Sequence, residues 1–158
     1  MRKLKIYLDT SVISHLFTDN APVLMEQTHA FWENVKQGMY EVYLSPAVLG
    51  EISNNKEPKL SKLKSYLDEI DYLLLEKTDE VSQLAGKYLE HGILPKKSDL
   101  DRLHIAYAVI SDCDLLLSWN FSHLANINTV NKVKSVNAIS NYKEMLIVPP
   151  TMLLGEEV

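Results

Sequence analysis

A short apolar run ends on an acidic residue in the segment Lys5-Ile6-Tyr7-Leu8-Asp9-Thr10-Ser11. Residues 5–8 have the composition of a buried β-strand, and the hydroxyl groups of Thr10 and Ser11 suit the capping of a following helix. Asp9 then stands where the strand ends, so its carboxylate would face a crevice at the edge of a sheet and not the core. A second interpretation is that Asp9 is an ordinary N-cap of that helix.

Short strands and longer amphipathic helices alternate along the rest of the chain. The predicted strands cover residues 6–8, 41–44, 72–75, 115–118 and 145–148. A long helix is predicted over 22–36, where Gly38 would end it, and another begins at Ser45-Pro46, where serine would cap the free amides. A third, strongly apolar helix is predicted to begin at Ser98.

This alternation predicts an α/β fold. We expect a single three-layer domain over residues 1–158, with a central, mostly parallel five-stranded sheet and helices on both faces. Residues 145–158 would supply the final strand and a short acidic tail. A length of 158 residues with 46% apolar residues suits one domain with a substantial core.

Composition limits the cellular setting. The single cysteine, Cys113, excludes an intramolecular disulfide and a thiolate metal cluster, which agrees with a reducing compartment. The chain begins without the apolar core of a signal peptide, and no apolar run approaches the roughly 20 residues of a membrane span. We therefore expect a cytoplasmic protein with no membrane partner.

The net charge of −5 argues against a protein that binds nucleic acid by charge over its whole surface. Basic residues nevertheless gather between positions 56 and 64, and again at Lys96, Lys97 and Arg102. Judged from charge alone, solvated helix faces are the more frequent explanation, and a phosphate-binding groove is the alternative.

Four oxygen-bearing side chains stand near strand ends or helix starts: Asp9, Glu51, Asp101 and Asn120. In a doubly wound sheet such positions meet at one edge. Crowded carboxylates would repel one another and raise their pKa values, whereas hard oxygen ligands with few histidines suit Mg²⁺ or Mn²⁺. The pattern therefore predicts a divalent-metal site.

Each of these residues also has a structural interpretation. Ser98 and Asp101 have the spacing of a capping box. Glu51 lies at the boundary of an apolar helix face, where most glutamates are solvated, and Asn120 follows a strand where an Asx turn is common. A shared site is favoured because four separate coincidences would otherwise have to occur at one edge.

Four short motifs, in this order, resemble those of the PIN-domain nucleases: Tyr7-Leu8-Asp9-Thr10-Ser11, Ala47-Val48-Leu49-Gly50-Glu51-Ile52, Asp101-Arg102-Leu103-His104-Ile105-Ala106 and Ser118-Trp119-Asn120-Phe121. The resemblance spans most of the chain and implies a Mg²⁺- or Mn²⁺-dependent ribonuclease. Among family members of this size, the chain resembles the VapC-like toxins of toxin–antitoxin pairs. That likeness implies an RNA substrate, a homodimer and a small antitoxin protein as partner.

The resemblance makes Asp9 and Asp101 the principal metal carboxylates, and Glu51 a ligand that acts directly or through water. Asn120 takes a fourth position where many members have aspartate, and this amide would weaken a second metal site. Accessory positions beside them are Thr10, Ser118 and Asp99. Candidate RNA contacts are Lys96, Lys97, Arg102 and His123.

The implied chemistry is in-line attack of an activated water on an RNA phosphodiester, leaving a 5′-phosphate and a 3′-hydroxyl. His104 lies one turn from Asp101, but a lone histidine in an apolar helix more often has a structural hydrogen-bonding role. Tyr7, Trp119 and Phe121 are expected in the core, with stacking on unpaired bases as the alternative.

Two other classes of protein are alternatives to the nuclease. A haloacid-dehalogenase-like phosphatase needs a second aspartate two residues after the nucleophile, and this chain has Ser11 there. The second is a PIN-like module that binds a protein or forms oligomers with weak catalysis or none. The amide at Asn120 keeps that alternative open.

Overall fold

The computed structural model describes residues 2–155 of the chain. Within these residues the strands are β1 (Leu4–Leu8), β2 (Tyr40–Leu44), β3 (Leu73–Leu74), β4 (Leu115–Leu117) and β5 (Leu146–Val148). The helices are α1 (Thr10–Ser14), α2 (Pro22–Lys36), α3 (Pro46–Ser53), α4 (Lys59–Leu67), α5 (Asp79–Glu90), α6 (Asp99–Ile110), α7 (Ile127–Ile139) and a short 3-10 helix at Pro150–Leu153. The predicted acidic tail includes residues 156–158, which lie outside the described residues.

The strands form a five-stranded sheet in the order β3-β2-β1-β4-β5, and every pair is parallel. The prediction of an α/β fold is confirmed, and the sheet described as mostly parallel is parallel throughout. β3 is shorter than predicted, with Leu73 and Leu74 each 51% exposed. It lies at the edge of the sheet and pairs with β2 alone, so little of it is covered.

Both faces of the sheet are covered at its centre. Ile6, Tyr7 and Leu8 are all fully buried, although successive side chains of a strand point to opposite faces. The chain reverses its direction across the sheet after β3. With the right-handed crossovers that are the rule between parallel strands, this order puts α1 to α4 on one face and α5 to α7 on the other. The buried apolar side chains form one continuous core cluster.

The order of connection reverses between β1 and β4, which lie side by side at the centre of the sheet. From β1 the chain moves outward through β2 to β3, and from β4 it moves outward to β5. In open α/β sheets, ligands bind at this switch point, outside the carboxyl ends of the strands. Asp9 and Ser118 directly follow the two central strands.

Helix caps differ from the predictions at three places. Asp9 is the N-cap of α1 and accepts a hydrogen bond from the Val12 amide, so the caps predicted at Thr10 and Ser11 are wrong. Ser45 and Ser98 stand at N-cap positions without capping through their side chains, so the capping box is also wrong. The Ser45 hydroxyl bonds to Tyr7 instead.

Other local predictions hold. The helix over 22–36 has the predicted bounds, and Gly38 follows it with φ +74°, a conformation that glycine adopts at little cost. Cys113 is buried, and burial raises the pKa of its thiol to about 12, which agrees with an inert apolar role. Among the described residues, no helix is long and apolar enough to cross a membrane.

Candidate functional site

Asp9 is held at the junction of the two central strands. Leu8 pairs with Leu117, and the Asp9 amide donates to the Leu117 carbonyl oxygen at 3.2 Å. The Ser118 hydroxyl donates to Asp9 Oδ2 at 2.5 Å, and the Ser11 hydroxyl donates to Oδ1 at the same distance. Two segments that lie 109 residues apart therefore fix a single carboxylate from both sides.

The Asp9 carboxyl is almost fully buried, with 3% of its surface exposed. Burial raises its pKa above the ordinary value, although the charge of His104 and the hydrogen bonds from Ser11 and Ser118 act in the opposite direction. The raised pKa of Asp9 comes mainly from loss of water on burial. The repulsion between carboxylates that the sequence pattern predicts is not among its causes. A carboxylate kept in such a place gains from a nearby cation.

Glu51, on α3, belongs to a second hydrogen-bonded group. Its Oε1 accepts from the Thr10 hydroxyl and from His104 Nε2, each at 2.7 Å. Partial burial would raise the pKa of Glu51, but the hydrogen bonds from His104 and Thr10 outweigh it and lower the pKa. Glu51 therefore carries a negative charge that is oriented toward the segment following β1.

His104 connects this group to the core. Its Nδ1 lies 2.7 Å from the hydroxyl of Tyr7, which in turn lies 2.6 Å from the hydroxyl of Ser45. His104 is only 2% exposed and uses both ring nitrogens, so the structural role predicted for it is confirmed. Sequence reasoning missed the Tyr7 hydroxyl and Ser11. The available signal was that a buried tyrosine hydroxyl requires a partner.

Asp101 forms the third part of the site, on the first turn of α6. Its Oδ2 lies 3.2 Å from His123 Nδ1. Asn120 fixes the turn that carries His123, because its Oδ1 accepts from the backbone N–H of His123 at 3.0 Å and from the Ser122 hydroxyl at 3.1 Å. The turn role considered for Asn120 is thus realised, and both acceptor positions of its oxygen are used.

These three parts are linked partly by hydrogen bonds and partly by the chain itself. Thr10 follows Asp9 in the chain and donates to Glu51, Glu51 bonds to His104, and Asp101 precedes His104 by one helical turn. Ser118 connects Asp9 to Asn120, since its hydroxyl donates to Asp9 and accepts from the backbone N–H of Asn120. Within residues 2–155, however, no three His, Cys, Asp or Glu side chains are grouped closely enough to enclose a metal ion by themselves.

Two residues assigned to the site from sequence have other contacts. Arg102 was a candidate RNA contact, but it is 1% exposed. Its guanidinium donates to the carbonyl oxygens of residues 93–96 and to Asp99. The RNA assignment of Arg102 is therefore wrong, and Asp99 pairs with this arginine. Lys96 and Lys97 are exposed on the loop that Arg102 holds.

The aromatic residues divide into two kinds. Tyr7 and Trp119 are buried as predicted, with 0% and 5% of their surface exposed, and Trp119 Nε1 donates to Thr28. Phe121 was predicted in the core and is 51% exposed, so that prediction is wrong. It follows the turn after β4, where the chain has already left the sheet. Of the three, Phe121 is the one that a base could reach.

Comparison with known proteins identifies the family. The protein-family model described as PIN domain matches residues 6–122, well over half of the chain. This chain belongs to the PIN-domain family, and the resemblance seen in its four motifs is confirmed. No curated protein matches the chain.

Solved structures that share the fold include two toxin-related proteins. One is VapC20 of Mycobacterium tuberculosis, described as a sarcin–ricin loop cleaving toxin, with a TM-score of 0.57 and 15% identity over 75% of this chain and 92% of VapC20. The other is VapBC2 of Rickettsia felis bound to a DNA fragment from its promoter, with a TM-score of 0.54 and 12% identity over 92% of this chain and 98% of that chain. At these identities the likeness concerns the fold alone.

Proposed function

We propose that this protein is a divalent-metal-dependent endoribonuclease that hydrolyses RNA phosphodiesters with an activated water. The observation that carries the proposal is the buried Asp9 carboxylate at the switch point of a PIN-domain sheet, held by Ser118 and followed in the chain by Thr10, whose hydroxyl donates to Glu51. This arrangement concentrates negative charge at the edge where α/β proteins bind ligands.

The donor set fits Mg²⁺ or Mn²⁺. Mg²⁺ keeps several waters and is commonly bound by one or two carboxylates together with substrate phosphates. Within residues 2–155 no three acids enclose a site by themselves, so water and substrate phosphate would have to supply the remaining ligands. A divalent ion, when bound, would offset the charge of the carboxylates and the phosphate and lower the pKa of the attacking water.

Each residue has a proposed role. Asp9 and Asp101 bind the ion, and Glu51 binds it directly or through a water. Ser11 and Ser118 orient Asp9, and Thr10 orients Glu51, through the hydrogen bonds described above. Asn120, whose oxygen already accepts two hydrogen bonds, shapes the Asp101 side of the site and is a weaker candidate for a direct ligand.

The products expected from this chemistry are 5′-phosphate and 3′-hydroxyl ends. The alternative, histidine catalysis through the ribose 2′-hydroxyl, is disfavoured because His104 is buried and both of its nitrogens are occupied. That leaves His123, whose Nδ1 contacts Asp101.

We also propose that the protein is the toxin of a toxin–antitoxin pair, acts in the cytoplasm as a homodimer and is neutralised by an antitoxin. The support is the shared fold with VapC20, described as a toxin, and with VapBC2. The second candidate function is a PIN-like binding module with weak catalysis or none. The observation in favour of this module is that the side-chain oxygen of Asn120 already accepts two hydrogen bonds and is a weaker candidate for a metal ligand.

The deciding experiment incubates wild type, Asp9→Asn and Asp71→Asn with mixed single-stranded RNA, in Mn²⁺, Mg²⁺ or chelator. Asp71 is an exposed aspartate that precedes β3 at the opposite edge of the sheet, so its variant removes the same charge away from the site. We expect metal-dependent 5′-phosphate products from wild type and Asp71→Asn, and none from Asp9→Asn. Calorimetric titration with Mn²⁺ gives a second readout, with binding lost in Asp9→Asn. Folded wild type that neither cleaves RNA nor binds Mn²⁺ would favour the binding module.

A further inference from the structure

A polar cleft of about 470 Å³ adjoins the Asp101 side of the site. One wall is the loop of residues 92–95, and the other is formed by Ser122, His123 and the first turns of α7. We call it the α7 cleft. His123 lies in this cleft and contacts Asp101 through Nδ1, so the cleft is continuous with the candidate site. A second cleft of about 420 Å³, between residues 17–20 and Pro58-Lys59, contains none of the candidate site residues.

Several polar residues of the α7 cleft form hydrogen bonds with one another that hold one wall in place. Asn126 caps α7 by accepting from the Thr129 amide at 3.0 Å, and its Nδ2 donates to the Ser122 carbonyl oxygen at 2.7 Å. Thr129 Oγ1 donates to the His123 carbonyl oxygen at 2.6 Å. These bonds fix the wall that carries His123.

The opposite wall is fixed as well. Arg102, which is buried beneath it, donates to the carbonyl oxygens of residues 93–95. The two walls are thus held by separate hydrogen-bond networks, one within residues 120–129 and one from α6. A cleft built in this way is present before a ligand arrives, as is usual for binding sites of 300–1,000 Å³.

Three polar groups that line the α7 cleft have unused capacity. Lys132 and Asn128 are exposed, and in residues 2–155 neither side chain takes part in an ion pair or a side-chain hydrogen bond. His123 uses Nδ1 for Asp101, and its Nε2 has no hydrogen bond within the same residues. By contrast, the neighbouring Lys134 pairs with Glu144 at 3.1 Å.

We propose that the α7 cleft binds a nucleotide of single-stranded RNA next to the phosphodiester that is cleaved. Lys132 and Asn128 donate to its phosphate oxygens, since ammonium and amide groups are suited to that contact. His123 uses Nδ1 for Asp101, which leaves Nε2 available for a ligand. A ribose 2′-hydroxyl can both donate and accept, so it matches this nitrogen, and the contact would distinguish RNA from DNA.

This proposal deepens the proposed function and rests on it for the position of the cleaved bond. The binding it predicts can be measured without cleavage. The probe is a pool of fluorescein-labelled, mixed-sequence single-stranded RNA, compared with the same pool in 2′-deoxy form. Binding is followed by fluorescence anisotropy with chelator present, in the Asp9→Asn protein, which retains the α7 cleft.

On this background we expect Lys132→Gln to weaken RNA binding roughly fivefold and to reduce the slope of log K against log salt by about 0.7, the value for one phosphate contact on a single strand. Lys134→Gln is the matched control, because it removes the same charge two residues along the same helix, and it should change binding less than about twofold. His123→Phe should weaken RNA binding several-fold and leave DNA binding unchanged.

Equal losses in Lys132→Gln and Lys134→Gln would overturn the proposal, since they would indicate general charge attraction. Undetectable RNA binding by the folded parent would also overturn it. If Lys132→Gln is introduced with Asp9 intact and RNA is cleaved with an unchanged KM, the subsite is refuted and the nuclease proposal stands. Binding that depends on Lys132 in a protein that never cleaves would support the cleft and count against the nuclease.

Discussion

Replacing Arg102 by methionine should destabilise the fold more than any surface charge change. The guanidinium lies beneath residues 93–96 and donates to their carbonyl oxygens, with the two shortest distances 2.7 Å to Pro95 and 2.8 Å to Lys96. The other two distances are 3.3 and 3.4 Å, and they share Nη1 with the bond to Pro95. Methionine keeps much of the stem and removes every one of these donors.

The size of the expected stability loss follows from the burial of Arg102 and the geometry of its hydrogen bonds. Hydrogen bonds from a charged donor contribute about 1.5–3 kcal/mol each, but the outer carbonyl groups can regain water once the arginine is gone. Counting the two short bonds and discounting them for this exposure gives a loss of about 3 kcal/mol for Arg102→Met. For 158 residues this corresponds to a fall in Tm of roughly 6–12 °C.

Two companion variants separate the causes. Arg102→Lys keeps the charge with a shorter reach and should lose about half as much as Arg102→Met. Asp99→Asn removes the ionic partner, which is 77% exposed, and should cost less than about 1 kcal/mol. Urea denaturation followed by circular dichroism measures all three, and hydrogen exchange of residues 93–97 shows whether the loop is released. A loss below about 1 kcal/mol for Arg102→Met, or an equal loss for Asp99→Asn, would refute the reasoning.

Three further predictions concern other buried groups. Tyr7→Phe should cost about 2 kcal/mol in urea denaturation because it leaves the buried His104 Nδ1 without its partner, and a change below about 0.5 kcal/mol would contradict this. Although burial alone would raise the pKa of Asp114, hydrogen bonds including that from Lys143 lower it below the ordinary value. This carboxylate therefore stabilises the fold above the unfolded pKa near 4, and the contribution is lost as pH falls through the folded pKa. Asp114→Asn should accordingly be less stable than wild type at pH 7, with the difference shrinking below about pH 4. Burial of the Cys113 thiol raises its pKa to about 12, so it should resist a thiol reagent at pH 8 in buffer and react in urea, and rapid reaction in buffer would show the packing to be wrong.

Local patterns gave correct information wherever a structural element is defined by its own residues. The strand 6–8 and the helix 22–36 were recognisable because apolar spacing reflects which faces become buried. Asp9 was placed correctly at a strand end for the same reason. The edge strand β3 was overestimated, because an apolar composition does not reveal whether a strand will have one neighbour or two.

Predictions failed where a polar side chain had several partners to choose from. Ser45 looked like a helix cap, but its hydroxyl bonds to Tyr7, which comes close only when β1 and the start of α3 pack together. Arg102 looked like a surface cation beside two lysines. Its position on the inner side of α6 and the return of the preceding loop over it could not be read from charge spacing.

The sequence by itself determined the class of fold, the approximate position of every strand, and the acids that stand at strand ends and helix starts. These properties depend on hydrophobic spacing and on residues that are close along the chain. Tertiary structure decided the hydrogen-bond partners of the polar side chains. Ser118 reaches Asp9 across 109 residues, and His104 reaches Glu51 across 53. A buried polar group must bond to whatever atoms packing brings within about 3 Å, and that choice is made only when the layers of the fold come together.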